Sequence, residues 1–243
     1  MRYFGAMSYR LYHDLAPHWP QLSPPQLHAD AAGLYLTLLQ QATDAPIGSL
    51  LELGCGSGHL ASHLPADLDI VLLDLSEEML ALSRTSNPER THRCADMRTA
   101  RLDRTFDAVL LHDAVMYMTT PADLQAALAT AAAHCRPGGA VLVVPDVVAE
   151  TFAEGAISGG GPTAQLLEWH HSAGPHSYRV DFALMLREGA AVRCIHEQHT
   201  LGLFSRDEYW AALTAAGMTP VAASLPLDEV GEVFLSRRGA PLP

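Results

Sequence analysis

The chain has 243 residues, enough for one α/β domain with a real core, or for one domain plus a cap. Its formal net charge of −12 argues against nucleic acid or an anionic membrane as partner, and a 49% apolar share argues against a disordered chain. All 15 basic residues are arginine, which excludes chemistry that needs a lysine: a Walker-type phosphate loop, a pyridoxal Schiff base or a lysine general base.

The four cysteines, Cys55, Cys94, Cys135 and Cys194, are widely separated. No CxxC pair suggests zinc or redox chemistry, and they read as small buried apolar residues. The N-terminal segment has no apolar signal-peptide core, and no apolar run nears the ~20 residues of a membrane span. A cytoplasmic protein is the expectation.

Residues 1–42 are predicted to form an N-terminal helical lid. Tyr3, Phe4, Tyr9, Tyr12 and Trp19 come first, followed by helical spacing of Leu27, Leu34, Leu38 and Leu39 on a core-facing helix. Tyr9 and Tyr12 read equally as packing residues and as a lid over a small ligand; Trp19 reads as packing. A buried strand, Ser49–Leu53, then enters a turn with glycines at 54, 56 and 58, and a short helix is predicted over His59–Leu64. The glycines allow a sharp bend and close approach of backbone amides, and a helix start favours an anionic group there.

The next strand, Asp69–Leu73, ends at Asp74, and a helix follows with Ser76 as N-cap and Glu77-Glu78 in its first turn. A short strand near Thr91–Cys94 ends at Asp96-Met97. Phe106–Leu111 ends at His112-Asp113. An alanine-rich helix is predicted over Ala122–Cys135, stopped by Arg136-Pro137-Gly138-Gly139, and a strand over Ala140–Val144 ends at Pro145-Asp146. Apolar strands alternating with helices predict an α/β fold with a doubly wound, mostly parallel sheet. Right-handed crossovers bring the strands' carboxyl ends to one edge, so Glu52, Asp74, Asp96, His112-Asp113 and Asp146 converge where such folds bind ligands.

Residues 150–176 read as a loop. Tyr178–Leu186 and Ala191–Leu203 read as an antiparallel hairpin covering the sheet edge or forming a dimer face. Ser205–Ala216 is a helix capped by Ser205 with Glu208, and Met218–Ser224 and Glu232–Ser236 are closing strands. The predicted organisation is one domain over 1–243. It divides into the lid (1–42), a cofactor-binding core (49–146), a cap insertion (150–204) and the closing elements (205–236).

The glycine turn departs from the dinucleotide fingerprint, because the third glycine comes one place early and position 59 is His. Glu52 sits two places before the first glycine. Asp74 supplies the acceptor that a nucleotide ribose needs about 20 residues further on. Asp96 and Met97 suit an adenine amino group and ring. Aspartates after strands also form turns, but the joint spacing favours ligand roles.

LLELGCGSGHL, DIVLLDLSEEML, CADM and FDAVLLHDAVMYM, with a helix ending in RPGG, together resemble the Rossmann-like S-adenosylmethionine-dependent methyltransferases over residues 49–146. The resemblance implies a seven-stranded sheet. It implies that Glu52 and the loop of Gly54, Cys55, Gly56 and Gly58 surround the methionine part of S-adenosylmethionine. It further implies that Asp74, with Leu75 beside it, binds the ribose, and that Asp96 and Met97 hold the adenine. His112-Asp113 then faces the methionine and the entering substrate. Met79 reads equally as core and as adenine neighbour, and Tyr12 joins the cofactor set. The YxxYHDLA segment and the late hairpin resemble, more loosely, the bacterial members that act on metabolites, among them sugar N-methyltransferases.

The donor leaves as S-adenosylhomocysteine after in-line displacement, which needs alignment, water exclusion and a place for a proton. His112 and Asp113 are the candidate catalytic residues, with His112 reading equally as a base and as a hydrogen-bonding group. Tyr9, Tyr117, Trp169, His170 and His171 are candidate substrate contacts; Tyr9, Tyr12 and Tyr117 could meet the sulfonium or an amine through their ring faces. His112, Asp113, Asp146 and His170 are conceivable metal ligands, but without a spaced ligand motif no metal is expected. His196 and His199 lie three apart on a strand and face opposite sides. The expected function is methyl transfer to a small-molecule N, O or C nucleophile, with no nucleic-acid or membrane partner and with a homodimer left open. The alternatives are a donor-binding protein without catalysis and an NAD-dependent oxidoreductase.

Overall fold

The computed structural model describes residues 9–223 and 231–239. Tyr3, Phe4 and Ser224 lie outside the described residues. The strands are β1 (Ser49–Leu53), β2 (Asp69–Asp74), β3 (Thr91–Cys94), β4 (Phe106–His112), β5 (Cys135–Val144), β6 (Gly155–Gly160), β7 (Ala164–Gly174), β8 (Ser177–Glu188), β9 (Ala191–Gly202), β10 (Met218–Pro220) and β11 (Phe234–Arg238). The helices are α1 (Trp19–Leu22), α2 (Ala29–Ala42), α3 (Glu77–Ser86), α4 (Pro121–His134) and α5 (Arg206–Ala215).

Seven strands form one sheet in the order β10-β11-β5-β4-β1-β2-β3. The five from β3 to β5 run parallel, and β11 pairs antiparallel with both β5 and β10. The doubly wound, mostly parallel sheet expected from the sequence is therefore present. Strand order reverses between β1 and β4, so a crevice opens at their carboxyl ends. Successive side chains alternate between faces. Leu50, Ile70, Leu72, Leu110 and Leu142 join one buried cluster with α2, while Leu51, Val71, Val109, Leu111 and Val141 join the other with α4 and α5. At the opposite, amino end, Asp107 accepts from the backbone N–H groups of Gly48 (3.0 Å) and Ser49 (2.8 Å) and from the Ser49 hydroxyl (2.8 Å), and pairs with Arg136 at 2.6 Å.

The N-terminal region is less helical than expected. It consists of 3-10 turns at Arg10–Tyr12, Ala16–His18 and Pro25–His28, the single-turn α1, and then α2. Pro17, Pro20 and Pro25 each remove a backbone donor and punctuate this stretch. Leu27, expected in the core, is 71% exposed because it precedes α2. After the glycine turn only a 3-10 turn, Ala61–His63, forms in place of the predicted helix. Pro65 disfavours helical backbone at Leu64, and the His59 and His63 rings bond to the carbonyls of Ser23 (2.8 Å) and Pro25 (2.8 Å).

The largest correction concerns residues 150–176. They hold β6 and β7, which complete a four-stranded antiparallel sheet, β6-β7-β8-β9, in place of a hairpin. β6 reads GAISGG and is exposed throughout, so it carries no alternating pattern. In β7 the inward positions include Glu168 and His170, which hid the alternation. The inner face of this sheet, with Tyr178, Val180, Phe182, Leu184 and Leu201, is continuous with the core under α4 and α5. Strand limits also shift from expectation: β5 begins at Cys135, ahead of the predicted Ala140; β10 stops at Pro220; β11 runs from Phe234 to Arg238.

Candidate active site

Gly54 (φ +80°), Gly56 (φ +53°) and Gly58 (φ +68°) all occupy the left-handed region. A Cβ on Gly54 would lie 2.3 Å from Ala114 Cβ and 2.9 Å from Met97 Cε, and one on Gly58 would lie 2.2 Å from Ser83 Oγ. These two glycines permit close packing within the protein. Gly56 is different: its nearest neighbour would be Met79 Cε at 3.6 Å, so its open side is free for a ligand.

Most of the loop amides bond within the protein. Gly54 and Cys55 N–H both donate to Leu73 O (2.7 and 3.0 Å), Gly58 N–H donates to Cys55 O (2.9 Å), and Gly56 N–H donates to Asp74 Oδ2 (2.8 Å). The three-residue turn that follows supplies no helix dipole. Four of the five loop amides, those of residues 54, 55, 56 and 58, are thus committed within the protein, and the nearby side chains are acids. Cys55 is buried and its thiol is pushed up by burial, so it lines the loop as an apolar group.

Glu52, at the end of β1, is 2% exposed, and its Oε2 has no hydrogen-bond partner. Burial pushes its carboxyl up to about 7; nearby His112 opposes the shift and Asp74 adds to it. A buried carboxylate with an unbonded oxygen at a ligand edge suits a cationic group such as an ammonium. Asp74 accepts from Gly56 N–H and from Ser76 N–H (2.8 Å each), so one oxygen supports the loop and the other the start of α3. Each oxygen keeps a lone pair for a ligand. Leu75 is exposed beside it and Met79 is buried behind Gly56.

Asp96 is held by Arg98, which donates from Nη2 at 2.6 Å and from its backbone N–H at 2.8 Å, while Arg98 also reaches Asp123 at 2.8 Å. Burial works against the charged form of Asp96, but the Arg98 bonds together hold its carboxyl below the usual range. Asp96 therefore also serves the turn it caps. Met97 packs against the glycine loop.

At the end of β4, His112 Nε2 lies 3.0 Å from Asp113 Oδ2, and its ring centroid lies 5.1 Å from that of Tyr35. Burial favours the neutral ring, but Asp113 and Glu52 outweigh it and raise the His112 pKa. Asp113 has φ +49°, a costly conformation for a residue with a side chain, and its N–H is fixed by Val144 O at 3.1 Å. Its carboxylate faces Asp146 beyond β5. Water reaches both through the open crevice, yet protein surrounds them closely. Burial, then Asp113, then Glu168 raise the Asp146 carboxyl well above its usual range, while His112 keeps Asp113 low. The two carboxylates therefore resist ionising together, and the upward shift falls on Asp146.

The antiparallel sheet presents Glu168 and His170 inward, 3.3 Å apart, with His170 against the Tyr178 ring at 5.8 Å. Trp169 and His171 do not join them. They project from the outer face, stacked on each other at 5.9 Å with planes 4° apart, because adjacent strand residues point to opposite sides. From the N-terminal turn, Tyr12 Oη lies 2.6 Å from Tyr117 Oη, and Tyr9 stacks on His199 at 3.7 Å. Sequence reasoning missed Glu168, whose signal was its even spacing with Leu166 and His170, and the inward position of His199. Among the described residues no group of three His, Cys, Asp or Glu side chains could hold a metal ion, and no helix is long and apolar enough to cross a membrane.

A family model described as "Methyltransferase domain" matches residues 50–139. The chain is 36% identical over 178 residues to the dTDP-3-amino-3,4,6-trideoxy-alpha-D-glucopyranose N,N-dimethyltransferase of Streptomyces venezuelae, covering 70% of this chain and 75% of that protein. It is 33% identical over 200 residues to the dTDP-3-amino-3,6-dideoxy-alpha-D-glucopyranose N,N-dimethyltransferase of Streptomyces fradiae, covering 79% and 77%. Among solved structures, Streptomyces venezuelae DesVI superposes with a TM-score of 0.77 at 32% identity, covering 87% of this chain and 92% of that one. SAM-bound CalS10, an amino pentose methyltransferase from Micromonospora echinaspora, gives 0.76 at 25% identity, covering 96% and 99%.

Proposed function

This chain belongs to the Rossmann-like S-adenosylmethionine-dependent methyltransferases that act on small molecules, and from that premise we propose that its acceptor is the amine of a sugar. One observation carries the amine: the acceptor side of the crevice is acidic, formed by Asp113, Asp146 and Glu168. Carboxylates draw in an ammonium and would repel a phosphate or carboxylate at the same point. The named relatives act on amino sugars, which supports the sugar.

The donor supplies an electrophilic methyl on a sulfonium. Glu52 would hold its methionine ammonium, with Cys55 and the open side of Gly56 alongside. Asp74 would take the ribose hydroxyls, with Leu75 at the rim, and Asp96, Met97 and Met79 would flank the adenine. On the acceptor side, Asp113 and Asp146 would hold an incoming ammonium, and an ionised carboxylate of the pair would take up its proton. That step frees the nitrogen lone pair for attack. His112, bound to Asp113 and largely buried, orients that carboxylate. Tyr9, Tyr117 and His170 complete the wall, and alignment supplies most of the acceleration. We place the enzyme in the cytoplasm on its four free cysteines. We also assign the outer face of the antiparallel sheet, with exposed Leu167, Trp169, Met185 and Val192, to a homodimer contact.

The test is mass-spectrometric detection of methyl transfer to dTDP-amino sugars, to the free amino sugars and to their hydroxy counterparts. Mono- and dimethylated amines are expected. Methylation of the hydroxy sugars with none of the amines would overturn the reading.

A further inference from the structure

Tyr12 and Tyr117 lead into a buried polar row whose inner members, His199 and Glu197, the transfer described above leaves unused. Tyr12 Oη and Tyr117 Oη are 2.6 Å apart, and Tyr117 Oη lies 3.2 Å from His199 Nδ1. On the other side of the ring, His199 Nε2 lies 3.3 Å from Glu197 Oε1, close but out of line for a hydrogen bond, so that nitrogen is unbonded. The Glu197 carboxylate accepts from the backbone N–H groups of Arg10 (2.6 Å) and Leu11 (2.9 Å). Three separate segments thus meet in one row: the N-terminal turn, the turn after β4 and strand β9. Tyr9 stacks on the His199 ring (3.7 Å), Phe182 packs tilted against it (4.5 Å), and together they seal it from water.

His199 is fully buried, and burial drives its pKa down to about 4, so the ring is neutral at physiological pH. A neutral imidazole has one donor nitrogen and one acceptor nitrogen. The Glu197 carboxylate beside Nε2 favours the proton on that nitrogen, which leaves Nδ1 as an acceptor. Tyr117 must then donate to Nδ1. Its own oxygen accepts from Tyr12, and the Tyr12 oxygen is left with only lone pairs to offer the crevice.

We infer that His199 is a positioning residue: through Tyr117 it fixes the direction of the hydroxyl row, so that Tyr12 presents an acceptor to the N–H of the substrate amine. This rests on the amine reading above. An amine that donates one N–H to Tyr12 has its lone pair turned to a defined direction, and an acceptor atom without a hydrogen finds no partner there. No bond forms or breaks in the row. The competing account is that these groups only fasten the N-terminal turn to β9.

Two measurements separate the accounts. The first is the tautomer of His199, read from imidazole nitrogen shifts in the full-length protein without substrate. The Nε2–H form is expected, persisting in the spectrum as pH falls toward about 4; the Nδ1–H form overturns the inference. The second compares His199→Leu with His199→Gln on the dTDP-amino sugar that wild type methylates. Leu suits the buried site but accepts no hydrogen bond, so kcat is expected to fall about tenfold with the melting temperature held. Gln costs stability but offers Tyr117 an oxygen, so kcat is expected to return to within about threefold of wild type. A kcat that follows melting temperature in both variants overturns the inference. If wild type methylates no amine, the amine reading has failed by itself, and the tautomer still decides the direction of the row.

Discussion

Glu52 gives the donor pocket a pH response. Its carboxyl, raised to about 7 by burial, is neutral in the free protein below that pH and charged above it. A cationic ammonium needs the charged form, so donor affinity is expected to rise with pH up to about 7 and level off beyond. Stability runs the other way. The folded-state pKa lies above the unfolded value, so this residue's contribution to stability is complete below the unfolded pKa near 4.5 and is lost as pH rises through about 7. Glu52→Gln should therefore weaken donor binding by roughly 1–3 kcal/mol at pH 8 while raising the melting temperature of the free protein. Calorimetric titration and a thermal melt at pH 5 and 8 test both signs; a variant that binds the donor as tightly as wild type would remove Glu52 from the site. Glu52 was legible in the sequence because a strand end followed by glycines locates it. Asp113 was legible as a position, but its left-handed backbone and its pairing with Asp146 were not, since they depend on Val144 at the end of the neighbouring strand and on Asp146 just beyond it.

Among the elements, the glycine turn combines fold and site most closely. Gly58 has φ +68°, and any Cβ would meet Ser83 Oγ at 2.2 Å and Asn87 Nδ2 at 2.6 Å, both groups held at the α3 end. Gly58→Ala is expected to destabilise the protein by about 2 kcal/mol or more, read as a lowered urea midpoint. Gly56→Ala meets only Met79 Cε at 3.6 Å, so it should lose less stability and more donor affinity. An equal stability loss in both variants would contradict this division of roles. The α5 capping box of Ser205 and Glu208 was readable because all its signals lie within four residues. β7 was not, because its inward Glu168 and His170 face a crevice and so break the apolar alternation that marks a strand. The meeting of Arg10 with Glu197, 187 positions apart, leaves no trace in local pattern at all.

For the molecule as a whole, the outer face of the antiparallel sheet predicts self-association. Sedimentation should show a dimer, and Trp169→Arg, which replaces a large exposed apolar side chain of that face with a charge, should shift it to monomer with the fold intact. A wild-type monomer at tens of micromolar would end that assignment. The two ends of the main sheet are built in opposite ways. The carboxyl end is an open crevice of acids, whereas at the amino end Asp107 binds Gly48, Ser49 and Arg136 at once and ties β1, β4 and β5 together. Hydrogen–deuterium exchange should record that asymmetry. The amides of Gly48 and Ser49 should exchange only through global unfolding, hours behind those lining the crevice, whose opening is local. The enzyme can then loosen its working edge to admit and release ligands while the sheet keeps its register, because the strands stay fastened at the far end.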